Sequence, residues 1–308
     1  MAALLPDSVR VIVRGWLSSN MVVLRSPGDN VLVDSGYCTR REETLELLAS
    51  RFGLDREPLE RLVNTHCHSD HMGGNAAVAH AYGCRVTIPQ GEVKHVQPWT
   101  PQSVWMARFD QRADPFVFDD TLAPGDTFAG GGFEWQAHAA PGHDMDALMF
   151  FEPTRRILIS GDALWEKGMG FVWPDDGGNR HIDAAHETLS AIERLAPEIV
   201  VPGHGEPFTD VGESIAHVRS RLDTFARDPV KNARHAVKVF FVFALLDRGG
   251  MATDEVAGYL ARVPVYGELA QRHLGMDCAQ LAEWMVPDLA RGGAVRVERD
   301  MVVPTMRP

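Results

Sequence analysis

The sequence is poor in cysteine, in cations and in long apolar runs, and each shortage excludes a class. Four cysteines occur in 308 residues, Cys38, Cys67, Cys84 and Cys278, with no C-x-x-C pair. A disulfide scaffold and a thiolate zinc knuckle are therefore not expected, and the simplest reading is a reduced, cytoplasmic chain. Lys and Arg number 30 against 42 Asp and Glu, for a net charge of -12. Polyanion binders are usually basic, so nucleic acid is not the first partner expected. No apolar run reaches the ~18 residues of a membrane span. Met1–Arg10 contains an Asp and a Pro and no apolar core, so it does not read as a leader. Repeats and low-complexity segments are lacking too. With 45% hydrophobic and 23% charged residues, the composition is that of an ordinary globular chain.

The charge is unevenly spread. Residues 231–308 hold ten Lys/Arg against nine Asp/Glu, and the rest holds 20 against 33. Asp228-Pro229 offers a break nearby, which predicts two domains, 1–230 and 231–308. The first part reads as strands alternating with short helices. Met21–Leu24 and Val31–Val33 flank a turn-forming Ser26-Pro27-Gly28-Asp29-Asn30 and predict a hairpin. Thr39-Arg40-Arg41-Glu42 fits a capping box before a helix. Helices are also predicted at Ala76–Tyr82 and Asp183–Leu195, with strands at Arg85–Ile88, Ile157–Ser160 and Ile199–Val201.

The densest chemistry lies in Thr65-His66-Cys67-His68-Ser69-Asp70-His71. Alternate residues of an extended segment point the same way, so His66 and His68 can share one metal and Cys67 turns away into packing. Asp70 and His71 continue into a turn and can reach a second ion about 4 Å away. Imidazole and carboxylate donors without thiolate suit zinc first, with iron or manganese as alternatives. Three more ligand-type residues follow glycines at predicted strand ends: His143, Asp162 and His204.

The set resembles the metallo-β-lactamase superfamily, with its H-x-H-x-D-H signature and later His, Asp and His, over about residues 9–210. The resemblance implies an α+β fold: a four-layer αββα sandwich with metals at one edge. It further implies that His66, His68 and His143 bind one ion, that Asp70, His71 and His204 bind the other, and that Asp162 bridges both. Asp34 in Leu32-Val33-Asp34-Ser35-Gly36 matches the family's early Asp and would support a ligand from behind. A bridging hydroxide then attacks a carbonyl or phosphorus centre, with Asp70 orienting it. His at the second motif position, where flavodiiron members carry Glu, argues against electron transfer.

Residues 235–308 read as three helices and a hairpin, resembling the winged helix appended to some of these hydrolases. Its third helix, Asp277–Leu289, has no Lys or Arg, so a lid or a homodimer contact is expected ahead of nucleic-acid binding. Trp165, Phe171 and Trp173 follow Asp162, and Tyr37 follows Asp34; all four are candidate walls of a substrate pocket. Asp144 and Asp146 follow His143 and would repel an anionic substrate unless they point away or pair with a base. The function expected is a di-metal hydrolase cleaving an ester, thioester or lactone-like bond of a small molecule. The alternatives are a metal-dependent phosphodiesterase or ribonuclease and an iron persulfide dioxygenase.

Overall fold

The computed structural model describes residues 5–100 and 106–308. The reading of Met1–Arg10 as lacking a leader lies partly outside the described residues. Two mixed sheets stack face to face. The first runs in order β1 (Val9–Ile12), β2 (Met21–Leu24), β3 (Val31–Val33), β4 (Arg61–Val63), β5 (Arg85–Pro89) and β6 (Asp120–Leu122). The expected hairpin forms, with Val22 opposite Val33 and Leu24 opposite Val31, and β3 to β6 then pair in parallel.

The second sheet contains β7 (Thr127–Gly130), β8 (Phe133–Ala139), β9 (Leu148–Glu152), β10 (Ile157–Gly161) and β11 (Ile199–Pro202). Its order is β11-β10-β9-β8-β7, antiparallel except for β10 with β11. Every residue of β2, β3, β9, β10 and β11 is buried. Such strands read as unbroken apolar runs because both faces are covered.

Between the sheets, Val22, Val33, Val63, Trp135, Phe150 and Val201 form the central layer. Outside the first sheet, Leu48 and Val78 pack the helices Arg41–Ala49 and Asn75–Tyr82. Outside the second, Leu189, Ile192, Val218 and Leu222 pack the helices Arg180–Leu195 and Val211–Arg227. The four layers are those of the αββα sandwich.

Two local expectations are corrected. The helix at Arg41 has no capping box: Arg40 is the N-cap without a side-chain bond, and the Thr39 hydroxyl donates instead to Asp247 at 3.1 Å. A tertiary acceptor has outcompeted the local one. The C-terminal part also has one more helix than expected. After Pro229–Arg248 and Val256–Arg262, the chain forms Pro264–Leu269, extended through 270–274, before Cys278–Arg291. Pro264 supplies the N1 position, and Val265, Tyr266 and Leu269 are buried. The terminal hairpin β13 (Val295–Glu298) and β14 (Met301–Pro304) turns through Arg299 and Asp300, both at positive φ, and β14 also pairs with β12 (Met251–Ala252). Among the described residues no helix is long and apolar enough to cross a membrane.

Candidate metal centre

Five loops leaving the sheets converge at one edge. Asp34 follows β3, His66 to His71 follow β4, His143 lies between β8 and β9, Asp162 follows β10 and His204 follows β11. The short helix Ser69–Met72 turns the chain so that Asp70 and His71 leave the direction of His66 and His68. Gly161 holds φ +51 and redirects the backbone just before Asp162. Gly203 serves a different need, since a Cβ there would stand 2.4 Å from Asp162 Oδ1.

Two donor groups result: His66, His68 and His143, and Asp70, His71, Asp162 and His204. The spacings fit tetrahedral coordination. Bonds of 2.0–2.1 Å leave donors about 3.3 Å apart. His71 Nε2 is 3.3 Å from Asp162 Oδ1, His204 Nε2 is 3.2 Å from Asp70 Oδ2, and His143 Nε2 is 3.4 Å from Asp162 Oδ2. Asp162 thus offers one oxygen to each group. His68 meets His143 Nε2 through its Nδ1 at 2.8 Å.

The neighbours fix which nitrogen each ring presents. Asp34 Oδ2 accepts from His71 Nδ1 at 2.8 Å and from the Thr65 hydroxyl at 2.8 Å. With its proton so used, Thr65 Oγ1 accepts from His66 Nδ1 at 3.1 Å. The Phe171 carbonyl accepts from His143 Nδ1 at 2.6 Å. His66 Nε2 is left buried with no hydrogen-bond partner among the described residues, and His71 Nε2, also buried, faces the Asp162 carboxylate at 3.3 Å without a well-aligned hydrogen bond. A buried, unpartnered ring nitrogen is costly unless a cation takes it. The donor set therefore fits two divalent ions.

The electrostatics agree. Burial, then His71 and His68, push His66 well below the usual histidine range, and burial with His143 lowers His68 to about 4. Both rings are neutral, as ligands must be. Burial opposes protonation of His71, but Asp162, Asp34 and Asp70 outweigh it and hold His71 well above the usual range. Cation binding would release that proton. Burial likewise opposes ionisation of Asp162, yet His71 and His204 hold its carboxyl well below the usual range.

The sequence profile of the metallo-beta-lactamase superfamily matches residues 14–204, which include every one of these donors. The chain belongs to the metallo-beta-lactamase superfamily. Among curated superfamily relatives, the hydroxyacylglutathione hydrolase of Bdellovibrio bacteriovorus is 24% identical over 143 residues, 46% of this chain and 47% of that protein. The acyl-coenzyme A thioesterase MBLAC2 of Homo sapiens is 26% identical over 212 residues, 62% of this chain and 74% of that protein. The chain spans about half the length of the first curated relatives it matches. A beta-lactamase domain protein from Burkholderia ambifaria superposes with a TM-score of 0.59 at 20% identity, covering 99% of this chain and 94% of that one. A metallo-beta-lactamase family protein from Thermus thermophilus gives 0.57 at 19%, covering 96% and 97%. At these identities the structures share the fold.

The donors open into a cavity of about 660 Å³, enclosed on its far side by the C-terminal helices. Trp165 and Phe171 line it. Tyr37 and Trp173 do not. Tyr37 is fully buried, edge-on to Phe243, and its hydroxyl accepts from Arg112 N at 3.0 Å. Trp173 packs beneath the Arg108 guanidinium and beside Phe171. Nearness in sequence to a ligand did not translate into facing the cavity. The unpredicted wall residues include Trp16, stacked on His204 with ring centroids 5.5 Å apart, and Phe109, Phe240, Phe243 and Arg221. Only the run of apolar residues along 236–246, wider than one helix face, hinted that this helix is covered on more than one side.

Proposed function

We propose that this chain is a di-metal hydrolase, with zinc as its ion, that cleaves an ester, thioester or lactone-like bond in a small molecule. One observation carries the reading: imidazoles and carboxylates gather into two adjoining donor groups, one buried imidazole nitrogen among them has no hydrogen-bond partner among the described residues, and His68, Asp70, His143, Asp162 and His204 of these groups line a largely apolar cavity. His66, His68 and His143 would hold one ion, and Asp70, His71 and His204 the other, with Asp162 shared. When bound, such ions supply an acidified water and a positive pole for a substrate oxygen.

The chain's own groups do the rest. Asp70 Oδ2 lies 3.2 Å from His204 Nε2 and 3.8 Å from His71 Nε2, placed to orient the attacking water and accept its proton. Trp165 Nε1 donates to Asp162 Oδ1 at 3.2 Å and fixes the shared carboxylate. Asp34 fixes His71. Phe171, Phe240 and Phe243 exclude bulk water and offer an apolar wall to an acyl group. The hydroxyacylglutathione hydrolase and acyl-coenzyme A thioesterase relatives support a thioester within this class.

Residues 231–308 we read as a winged-helix-like domain closing the cavity of a catalytic domain formed by 1–230. The helix Cys278–Arg291 turns Leu281, Met285 and Leu289 inward, and Asp288 and Leu289 line the cavity. That placement favours a lid over a nucleic-acid reader.

The test is turnover on panels of esters, thioesters, lactones and phosphodiesters before and after chelation, with metal analysis of the neutral-purified protein. About two zinc ions per chain and chelator-sensitive acyl hydrolysis are expected. A single iron with persulfide oxidation, or cleavage of RNA alone, would overturn the reading.

A further inference from the structure

Away from the metal donors, the cavity wall carries three cations, Arg221, Lys238 and Arg291, and one carboxylate, Asp288. Asp288 is shared: its Oδ2 lies 3.1 Å from Lys238 Nζ and its Oδ1 lies 3.0 Å from Arg291 Nη2. Arg221 has no carboxylate partner among the described residues. Its Nη2 donates to His235 Nε2 at 2.8 Å, and its guanidinium stacks 5.4 Å from the Phe225 ring. Burial first, then Arg221 and Lys238, lower His235 to about 3, so that ring is a neutral acceptor. Among the described residues this partly buried guanidinium hydrogen-bonds only a neutral ring, so it keeps donors available for an anion.

This cationic end is tied to the metal end by a short stretch of chain. Gly170 N bonds the Asp162 carbonyl at 2.9 Å, and a Cβ on Gly170 would touch the His143 ring. Two residues earlier along the wall, a Cβ on Gly168 would lie 3.6 Å from Arg221 Nη1. Gly168 to Phe171 spans at most about 11 Å even if extended. Met169, Phe171 and Phe240 supply apolar surface to the same cavity.

We propose that Arg221, assisted by Lys238, is an anion-binding subsite of the substrate cavity, and that it selects short acyl substrates carrying a carboxylate at the far end of the acyl chain. The proposal rests on the hydrolase reading above. In the reaction, water adds its oxygen to the acyl carbon, the carbon–sulfur bond breaks, and the thiolate leaves with a proton. The distal carboxylate stays paired with Arg221 throughout, so the pairing lowers KM for thioesters that carry a free carboxylate at the end of the acyl chain and does not enter the chemistry.

Two arms separate the proposal from the reading beneath it. In the first, adipoyl and hexanoyl thioesters of one small thiol are compared by thiol release with the metal-loaded enzyme. The adipoyl preference in kcat/KM should be about tenfold or more, the worth of one charge-assisted hydrogen bond. R221Q should collapse that ratio to near one, with the change in KM, and R221K should retain most of it. In the second, adipate and hexanoate binding are compared by calorimetry, with the same expected ratios. Should R221Q lose its cooperative unfolding transition, Lys238→Met carries the test and should lower both ratios. Selective, Arg221-dependent adipate binding without thioester turnover would uphold the subsite and defeat the hydrolase reading. Equal treatment of adipoyl and hexanoyl compounds by the wild type, or a preference that survives R221Q, overturns the subsite.

Discussion

Asp34 belongs to neither donor group, yet its replacement by Asn should weaken one of the two proposed metal sites selectively. Its carboxylate accepts from Thr65 N at 2.9 Å, Thr65 Oγ1 at 2.8 Å, His71 Nδ1 at 2.8 Å and Asn64 Nδ2 at 3.3 Å. It is buried, and its backbone sits at φ +59. Asn tolerates that left-handed conformation as well as Asp does, so Asp34→Asn changes the side-chain chemistry alone. One oxygen survives to accept from Thr65 N, while the new amide faces two groups that were donors. Loss of an outer-shell carboxylate on a histidine ligand costs about 10–100-fold in metal affinity. At 1.4 kcal/mol per decade that is about 1.4–2.8 kcal/mol, the range of one charge-assisted hydrogen bond. His71 belongs only to the group with Asp70, Asp162 and His204. Competition against a chromogenic chelator should therefore show two zinc-release steps, with only the weaker or newly weakened one shifted in the variant. Unchanged affinity at both sites, or an equal fall at both, would refute the assignment of Asp34 to His71.

Asp70→Ala should lower kcat by about 10²–10⁴-fold, as expected for loss of a water-orienting base, while one zinc remains on His66, His68 and His143; metal analysis beside steady-state rates checks it, and wild-type kcat would sink the role. Tyr37→Phe removes the acceptor for Arg112 N and should cost about 1 kcal/mol in urea unfolding without altering KM, since the ring faces the core. An altered KM would return Tyr37 to the substrate cavity. His235 is held near 3 when folded and titrates near 6.5 otherwise, so folding keeps it neutral. Its contribution is complete above about pH 6.5 and is lost as pH falls toward 3, at about 1.4 kcal/mol per pH unit. Urea midpoints between pH 7 and 4.5 should fall less steeply in His235→Gln, by up to one proton's worth of slope. Parallel curves would show that burial does not hold the ring neutral.

The donors were legible because the chemistry compresses them into a short segment. Four ligand-type side chains fall within Thr65–His71, and His143 and Asp162 follow glycines that do adopt positive φ, Gly142 and Gly161. The sheets were legible from apolar runs bounded by turns. The cavity was not. Trp16 meets His204 only after the sheets stack, and Arg221 meets His235 only once two consecutive helices fold back on each other. No periodicity encodes which side chains meet across elements packed in this way. Thr39 shows the converse failure: its local capping signal was sound, but Asp247 from the C-terminal part offered a competing acceptor. Trp173 and Tyr37 were placed in the pocket by adjacency alone, and a strand end or a single turn suffices to reverse which way such a side chain faces.

The two carboxylates beside His143 bear on whether this acidic chain can accept an anion. Asp146 Oδ2 lies 2.6 Å from Lys94 Nζ, so its charge is matched at the surface. Asp144 Oδ2 lies 3.4 Å from His68 Nε2, behind the ring and opposite the Nδ1 that faces His143. Asp144 also adjoins the buried Glu92, whose carboxyl is pushed well above the usual range by burial and then by Asp144. Neither Asp144 nor Asp146 lines the cavity, whose carboxylates are Asp70, Asp162 and Asp288. The first two would be consumed as ligands and the third is shared by Lys238 and Arg291. The net charge of -12 therefore does not describe the cavity, where Arg221 is a cation with no carboxylate partner among the described residues.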